Sequence, residues 1–255
     1  MDRRGQRLMV VMPHPDDEIF GCASTIARYS AEGATVTLVT MTRGGAGLWN
    51  GRRAGDLRRL TEVRELELRD AAHTLGVTFL EIFDYPDGAL EKVEEVESVR
   101  DRFLGDIVRC LRAHRPQVVM CFGPEGAYGH PDHKVVSRLT VQACTMTGEA
   151  SVFELESAAL GLRAWSPSKL YFLTTTRRIV ETLKLPAQPL ITTRIPVAGY
   201  EDVKIRAFAH HETQSQEWEP LRQMIEGQGD SEVFSLVGAT HDLREVDLFA
   251  GISAG

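Results

Sequence analysis

The chain has 255 residues, 43% hydrophobic and 25% charged, with a formal net charge of −7 and a pI of about 5.7. This composition is typical of a soluble globular protein, and the length suits one large α/β domain. It excludes the basic stripe typical of nucleic-acid binding, and the sequence has no run of about 18 apolar residues that could insert into a membrane. The apolar run near the N-terminus is too short for a signal peptide, so we expect a cytoplasmic protein.

The first elements of the chain form a strand-helix-strand unit. Residues 8–12 are an apolar run that predicts a buried strand, and apolar spacing predicts a helix over about 17–32, ended by Gly33. Residues 34–41 are rich in β-branched side chains and predict a second strand. Two strands joined in this way are expected to pair in parallel.

The loop over residues 43–51 contains four glycines. It lacks the glycine patterns of nucleotide-binding loops, so a phosphate cradle is not favoured. Because it follows a strand, it should lie at the same sheet edge as the polar residues His14, Asp16 and Asp17, which follow the preceding strand. We interpret it either as a mobile wall or lid over a site or as a flexible surface loop.

The alternation of strands and helices continues to about residue 146 and predicts an α/β fold, a Rossmann-like three-layer sandwich with a mainly parallel central sheet. The predicted elements are a helix over 56–75, a strand over 79–83, a charged helix over 93–114, a strand over 117–122 and a helix over 131–146. Further on we expect a strand over 169–174, an extended piece over 190–197, a helix over 199–211 and a late edge strand over 233–237. We expect a single domain over 1–255, with its core in 8–147, while 148–255 completes the sheet and a substrate pocket.

Two polar clusters follow two of the predicted strands. His14, Asp16 and Asp17 come after the first strand, and His130, Asp132 and His133 come after the strand that ends at Phe122. In parallel sheets ligands bind outside the carboxyl ends of the strands, so the clusters are expected to converge.

Imidazole and carboxylate groups are the ligands of catalytic zinc sites, which use three protein ligands. His14, Asp17 and His133 can supply them, which leaves Asp16 free as a general base. His130 could then stabilise an oxyanion or protonate a leaving nitrogen, with Asp132 orienting it and Tyr128 adding a hydroxyl donor. These parts suit hydrolysis of an amide or ester by a water that a metal activates.

Each cluster also has a structural explanation. Asp16 or Asp17 could cap the helix that follows, and Pro15 and Pro131 could simply begin helices. The occurrence of both clusters at strand ends of one predicted sheet favours the metal site.

Several motifs together resemble one enzyme family. These are residues 13–18 (Pro-His-Pro-Asp-Asp-Glu), 129–133 (Gly-His-Pro-Asp-His), 42–44, 64–68, 85–88 and 211–214. They resemble the zinc-dependent N-acetylglucosaminyl deacetylase family, known as PIG-L or LmbE-like, over about residues 8–214. One departure is Gly21-Cys22 in place of the Gly-Gly pair that family members often carry.

The resemblance implies the same roles, residue by residue. It implies His14, Asp17 and His133 as metal ligands, Asp16 as the base, and His130 with Asp132 as the oxyanion-stabilising pair assisted by Tyr128. It also implies that Arg64 and Asp87 contact the sugar or its aglycone, and that His211 borders the site, although packing explains His211 equally well.

The expected activity is therefore removal of an acetyl group from a small-molecule amino-sugar conjugate with Zn²⁺ as cofactor. Fe²⁺ or another divalent metal remains open, because nitrogen and oxygen ligands suit several metals. Two alternatives are an amidase or deacylase acting on a thiol conjugate or secondary metabolite, and a non-catalytic metal-binding or carbohydrate-binding module. A homo-oligomer is also left open.

Overall fold

A computed structural model describes residues 2–53 and 55–252 of the chain. The strands are β1 (Arg7–Met12), β2 (Thr35–Thr42), β3 (Leu48–Trp49), β4 (Arg52–Arg53), β5 (Phe79–Tyr85), β6 (Val118–Phe122), β7 (Lys169–Leu173), β8 (Thr193–Pro196) and β9 (Ser231–Leu236). The helices are α1 (Asp17–Ala31), α2 (Leu57–Thr74), α3 (Leu90–Glu95), α4 (Glu97–His114), α5 (Pro131–Met146), α6 (Glu154–Ala159), α7 (Arg177–Leu183), α8 (Glu201–Ala209) and α9 (Trp218–Gln228), and a 3₁₀ segment spans Glu212–Glu217.

Seven of the strands form one sheet in the order β5-β2-β1-β6-β7-β9-β8. The pairs from β5 to β7 are parallel, whereas β9 runs antiparallel to both β7 and β8. The chain builds outward from β1 in one direction through β2 and β5, then returns to the other side of β1 with β6. The carboxyl ends of β1 and β6 therefore flank the point where strand order reverses, which is where α/β sheets bind ligands. The predicted fold class is confirmed.

The sheet is buried on both faces. Alternate residues of β1 point to opposite sides, so Leu8, Val10 and Met12 belong to one apolar cluster while Met9 and Val11 belong to the other. Helices cover both clusters, which explains why the central strands read as unbroken apolar runs in the sequence.

Local signals set several helix ends. The Asp56 side chain accepts a hydrogen bond from the Arg59 amide, 3.1 Å away, and so caps α2. Pro131 occupies the first turn of α5, where its missing N–H costs nothing. Gly33, at a φ of +96°, follows α1 in a conformation that favours glycine.

Two sequence predictions about secondary structure are wrong in detail. The charged helix expected over 93–114 is divided, because Val96 is extended (φ −104°, ψ 106°) between α3 and α4. The late strand β9 does not lie at the edge, since it pairs with β7 on one side and β8 on the other. The helices α6, α7 and α9 were not anticipated, and β3 and β4 form a small hairpin within and beside the glycine-rich loop.

Two further features bear on expected properties of the chain. Within residues 2–53 and 55–252, none of the helices combines the length and apolar character needed to span a membrane. Cys22, Cys110 and Cys121 are buried free thiols, and Cys144 is a partly buried one. The single-domain organisation and the cytoplasmic location stay predictions.

Candidate active site

The turn between β1 and α1 holds Asp16 in an unusual backbone conformation. Asp16 has a φ of 99° and ψ of −25°, a region that residues with a Cβ seldom adopt. It occupies the N-cap position of α1, yet among the described residues its side chain makes no capping hydrogen bond. Helix capping therefore does not explain this carboxylate, and a strained non-glycine residue of this kind points toward a functional role.

Asp17, the next residue, is directed back toward His14. Its Oδ2 accepts a hydrogen bond from the His14 amide at 2.9 Å and lies 3.1 Å from His14 Nδ1. Both side chains are buried. The turn thus presents a carboxylate and an imidazole to a common point.

His133 lies in the first turn of α5, beside the end of β6. Its ring stacks on Phe122, with a centroid separation of 4.3 Å and an interplanar angle of 6°. Its Nε2 is 3.3 Å from Asp17 Oδ1, but within the described part of the chain neither of its ring nitrogens has a hydrogen-bond partner. Leaving one buried polar atom unsatisfied costs about 1–3 kcal/mol, so this imidazole is expected to bind a ligand that is not part of the chain.

The donor atoms of His14, Asp17 and His133 lie within 4.8 Å of one another, so the three residues could hold a metal ion. Metal ligands must be deprotonated, and the electrostatics favour this state for two of them. Burial lowers the pKa of His133 to about 4. Burial alone would raise the pKa of Asp17, but the imidazoles of His133 and His14 outweigh it and lower that pKa to about 2.

A second set of donors, His14, His130 and Asp132, also lies within 4.8 Å, but the carboxylate of this set already has partners. The Asp132 carboxylate accepts hydrogen bonds from the amides of Gly88 (2.7 Å) and Leu90 (3.0 Å) and lies 3.1 Å from His14 Nε2. These contacts fix the far side of the His14 ring, as carboxylates commonly do behind a metal-binding histidine.

The expected contact between the Asp132 carboxylate and His130 is therefore corrected. The carboxylate instead accepts hydrogen bonds from the amides of Gly88 and Leu90 and contacts His14. The backbone N–H of Asp132 is the group that contacts His130, donating to Nδ1 at 3.1 Å. A neutral His130 ring with an acceptor at Nδ1 carries its proton at Nε2. Burial lowers the pKa of His130, which favours that neutral form.

Arg64 on α2 contacts the base candidate Asp16. Its Nη2 is 3.3 Å from Asp16 Oδ2, Nη1 donates to the Gly44 carbonyl at 2.9 Å, and Nη2 also donates to the Pro15 carbonyl. Burial raises the pKa of Asp16 to about 7, and Arg64 is the main group opposing that rise. Gly44 has a φ of +69°, and a Cβ there would lie 2.4 Å from Arg64 Nη1, so this loop glycine makes room for the guanidinium.

Asp87 lies on the other side of His14. One of its oxygens is 3.0 Å from His14 Nε2, and the other accepts a hydrogen bond from the Ala46 amide at 2.7 Å. The side chains of Arg64 and Asp87 thus hold Asp16 and His14, a role that the sequence analysis did not anticipate. Both residues also line the cavity described below, as a substrate contact would require.

Glu18 and His211 form a buried pair next to Asp16, and the sequence analysis did not predict their contact. Glu18 and His211 are both fully buried, and His211 Nε2 lies 2.7 Å from Glu18 Oε1. The other oxygen of Glu18 accepts a hydrogen bond from the Asp16 amide N–H, 3.0 Å away. The signal for this pair was weak: an acid in the first turn of a helix is common, and His211 was linked to the site only by resemblance.

One cavity of about 590 Å³ lies at the carboxyl ends of β1 and β6, and it is lined by the three proposed metal donors together with Asp16, Arg64 and Asp87. Tyr128 and His130 stand on one side of it, with ring centroids 5.7 Å apart, and the Tyr128 side chain is 61% exposed. Of the nine residues that were assigned a catalytic, metal-binding or substrate-binding role from the sequence, eight line the cavity, and Asp132 contributes through His14 and through its backbone. His211, which was expected to border the site, does not line the cavity and contacts Glu18.

Comparison with known proteins supplies an independent view of the same chain. A family model described as PIG-L, GlcNAc-PI de-N-acetylase, matches residues 9–144. A 1D-myo-inositol 2-acetamido-2-deoxy-alpha-D-glucopyranoside deacetylase from Rhodococcus erythropolis is 30% identical over 298 aligned positions, covering 99% of each chain. A mycothiol S-conjugate amidase from Streptomyces coelicolor is 31% identical over 288 positions, covering 96% of this chain and 97% of the relative.

The fold has a counterpart among solved structures. The N,N'-diacetylchitobiose deacetylase from Pyrococcus horikoshii superposes with a TM-score of 0.74 over 97% of this chain and 86% of its own, at 23% sequence identity. At that identity the similarity establishes the shared fold.

Proposed function

The chain belongs to the PIG-L family of GlcNAc-PI de-N-acetylases, and on that basis we propose that it is a metal-dependent hydrolase that removes the acetyl group from a small molecule containing N-acetylglucosamine. The observation that carries the proposal is the pairing of three convergent donors, His14, Asp17 and His133, with an adjacent carboxylate, Asp16, that serves no capping function. The relatives named as a deacetylase and as an amidase support cleavage of an amide bond.

The donor set suits a divalent metal, and we propose zinc held by His14, Asp17 and His133. Such an ion would satisfy one of the two ring nitrogens of His133 that have no hydrogen-bond partner among the described residues. Two imidazoles and one carboxylate are a usual set for catalytic zinc, although Fe²⁺ and other divalent metals accept the same ligands. A zinc ion at such a site supplies Lewis acidity, which lowers the pKa of water toward about 7 and polarises an amide carbonyl.

Asp16 is the proposed general base. Its Oδ2 is paired with Arg64, which leaves Oδ1 to accept the proton of the attacking water. The Glu18 carboxylate holds the backbone amide of Asp16, so the side chain is directed by its strained backbone and by Arg64 together. A general base fixed in this way loses little entropy when it acts.

His130 is the proposed donor to the reacting amide. With Nδ1 accepting a hydrogen bond from the Asp132 N–H, its Nε2–H is available to donate a hydrogen bond to the developing oxyanion. The proton that Asp16 takes from the attacking water is the one that passes to the leaving nitrogen. The Tyr128 hydroxyl is a second proposed donor on the same side of the cavity. Arg64 and Asp87 are the proposed contacts to the sugar, Asp87 through oxygen lone pairs that its two existing partners leave free.

A second candidate function is cleavage of the amide bond of a thiol conjugate, which the relative named as a mycothiol S-conjugate amidase favours. The same side chains would serve that reaction, so only the substrate differs. A non-catalytic binding module is less well supported, because binding alone gives no reason for a strained, uncapped Asp16 beside the metal donors.

The proposal is tested by acetate release from a panel of N-acetylglucosaminyl conjugates, assayed with metal-free protein and with protein loaded with zinc or iron(II). We expect release only with metal bound, and its loss on addition of a chelator. A panel of thiol-conjugate amides run in parallel separates the second candidate. Protein that binds one metal ion per chain yet hydrolyses no amide in either panel would overturn the proposal.

A further inference from the structure

The cavity has an apolar wall on the side away from the proposed sugar contacts. It is built by α1, the end of β7, the end of α7 with the segment that follows it, and α9, from Phe20, Leu173, Leu183, Leu185, Pro220 and Met224. Leu173 is buried, whereas Leu183, Leu185 and Met224 are only partly buried and so expose apolar surface to the cavity. Nothing in the proposed hydrolysis of an acetyl group uses this wall.

The charges around the cavity disfavour an anion. Among the described residues that line it, Asp16, Asp17, Asp87 and Glu217 carry carboxylates, and Arg64 alone carries a guanidinium. Arg64 is already held by Asp16 and by two backbone carbonyls. The proposed metal ion would be bound by Asp17 beside Asp16, and its charge offsets theirs. The like charge that a phosphate or carboxylate on the aglycone would meet is therefore that of Glu217, which directly precedes α9.

The size of the cavity indicates that something besides the amino sugar occupies it. At about 590 Å³ it falls within the range of about 300–1,000 Å³ typical of pockets for drug-sized ligands. One acetamido sugar is smaller than such a ligand, so part of the cavity remains for a substituent. The neutral polar residues near the wall, Thr174, Thr175 and Gln188, add no charge that would alter this preference.

We propose that the substrate carries an uncharged, apolar aglycone, an aryl or alkyl group on its amino sugar, that packs on this wall. The inference rests on the proposed function, because deacetylation fixes the acyl group as acetyl and leaves the aglycone to fill the apolar side. Burying one group of side-chain size is worth roughly ten- to a hundredfold in affinity or specificity.

The test compares kcat/KM for acetate release by the metal-loaded full chain on four N-acetylglucosaminides: methyl, phenyl, inositol and 1-phosphate. We expect the phenyl glycoside to exceed the methyl glycoside by about tenfold or more, and the 1-phosphate to fall below it. Equal values for phenyl and methyl, or a preference for inositol or phosphate, would overturn the aglycone inference while leaving deacetylation intact. No release from any of the four would count against the proposed function itself.

A fifth substrate separates the two ends of the amide. N-Hexanoylglucosamine places the apolar group on the acyl side, and we expect it to react no faster than N-acetylglucosamine. If the longer acyl chain accelerates the reaction and the phenyl aglycone does not, the wall serves the acyl group and the inference is wrong.

Two variants of the wall test the inference directly, with a third variant outside the cavity as their control. Leu185→Gln and Met224→Gln each place a polar group on the wall at a partly exposed position, and we expect each to lower the phenyl-to-methyl ratio of kcat/KM about fivefold. Leu155→Gln makes the same change on α6, where the side chain is 83% exposed and outside the cavity lining, and should keep the wild-type ratio. Wild-type ratios in both wall variants would contradict the inference.

Discussion

Residues 14–17 and 130–133 begin with the same three residues, His-Pro-Asp, and each segment contains the start of the helix that follows a parallel strand, yet the two fold differently. In the second segment the helix starts right after His130, so Asp132 is helical and its carboxylate is satisfied by two amides and His14. In the first segment the helix starts two positions later, after Asp16, whose positive φ leaves its carboxylate beside Arg64.

The difference shows that backbone conformation, not residue type, separates the proposed base from the supporting carboxylate. The fourth residue of each segment, Asp17 or His133, is directed toward the same point, with 3.3 Å between Asp17 Oδ1 and His133 Nε2. Two similar segments thus supply one shared donor cluster and two unlike aspartates.

Replacing the aspartate in each segment should separate these roles, and the largest effect is expected at Asp16. Asp16→Asn removes the proposed base but keeps the size of the side chain, so kcat/KM for acetate release should fall about 10²- to 10⁴-fold while bound zinc per chain is unchanged. Asp84→Asn, at an exposed carboxylate on the same sheet edge, should retain wild-type activity. Near-normal turnover by Asp16→Asn would show that another group takes the proton.

The corresponding change in the second segment should act on the metal. Asp132→Asn replaces the carboxylate behind His14 Nε2 with a neutral amide that keeps only one acceptor oxygen, so zinc affinity should fall about 10- to 100-fold. Competition with a chromophoric chelator measures this directly, with Asp16→Asn as the control of unchanged affinity. If both variants bind zinc as the wild type does, Asp132 does not support the metal ligand.

A smaller effect is expected from the buried pair under the first segment. In Glu18→Gln one of the two carboxylate oxygens becomes an NH2 group, so either the Asp16 amide loses its acceptor or His211 must change from donor to acceptor at Nε2. We expect kcat to fall by about tenfold with little change in KM, because Asp16 is displaced while substrate contacts remain.

Glu232→Gln is the matched control for that variant. Glu232 is also a buried acid that contacts α1, through the amides of Ser24 and Thr25, but it lies away from Asp16. Its replacement should lower stability without lowering kcat of the folded, metal-loaded protein. A similar loss of kcat in both variants would indicate general loosening of α1 rather than positioning of Asp16.

The smallest expected effect is on the free energy of unfolding: the difference between the Gly and the Ala variant should have opposite signs at positions 16 and 132. At position 16 the Gly variant should be more stable than the Ala variant by about 1 kcal/mol, because Cβ penalises the positive φ. At position 132, in the first turn of α5, Gly should be less stable than Ala by about 0.5–1 kcal/mol. Urea unfolding of the four variants measures both differences, and the same sign at both positions would refute the conformational distinction.

The sequence was sufficient to predict the fold class and the placement of both segments at strand ends. Residues 8–12 and 118–122 are apolar runs followed at once by polar, proline-containing turns, and these signals are local. The convergence of the two turns then follows from the geometry of parallel sheets.

What could not be predicted depends on contacts between distant parts of the chain. The amides that donate to the Asp132 carboxylate are 44 and 42 residues away, in the turn before α3 and at its first residue, and His211 contacts Glu18 across 193 residues. Asp16, at its positive φ, contacts Arg64 through its side chain and Glu18 through its amide. Aspartate adopts positive φ only occasionally, so the residue type alone does not predict this angle. The same holds for the extended Val96 that divides the charged helix, because its neighbours in sequence are good helix formers.

The central claim is that His14, Asp17 and His133 hold one metal ion while Asp16 stays unbound beside it. Anomalous diffraction at the zinc edge from crystals of the zinc-loaded protein tests it most directly. The account predicts a single peak at about 2.0–2.2 Å from two imidazole nitrogens and one Asp17 oxygen, with both Asp16 oxygens outside bonding distance. A peak held by His130 and Asp132, a peak bonded to Asp16, or no peak at these residues would contradict it.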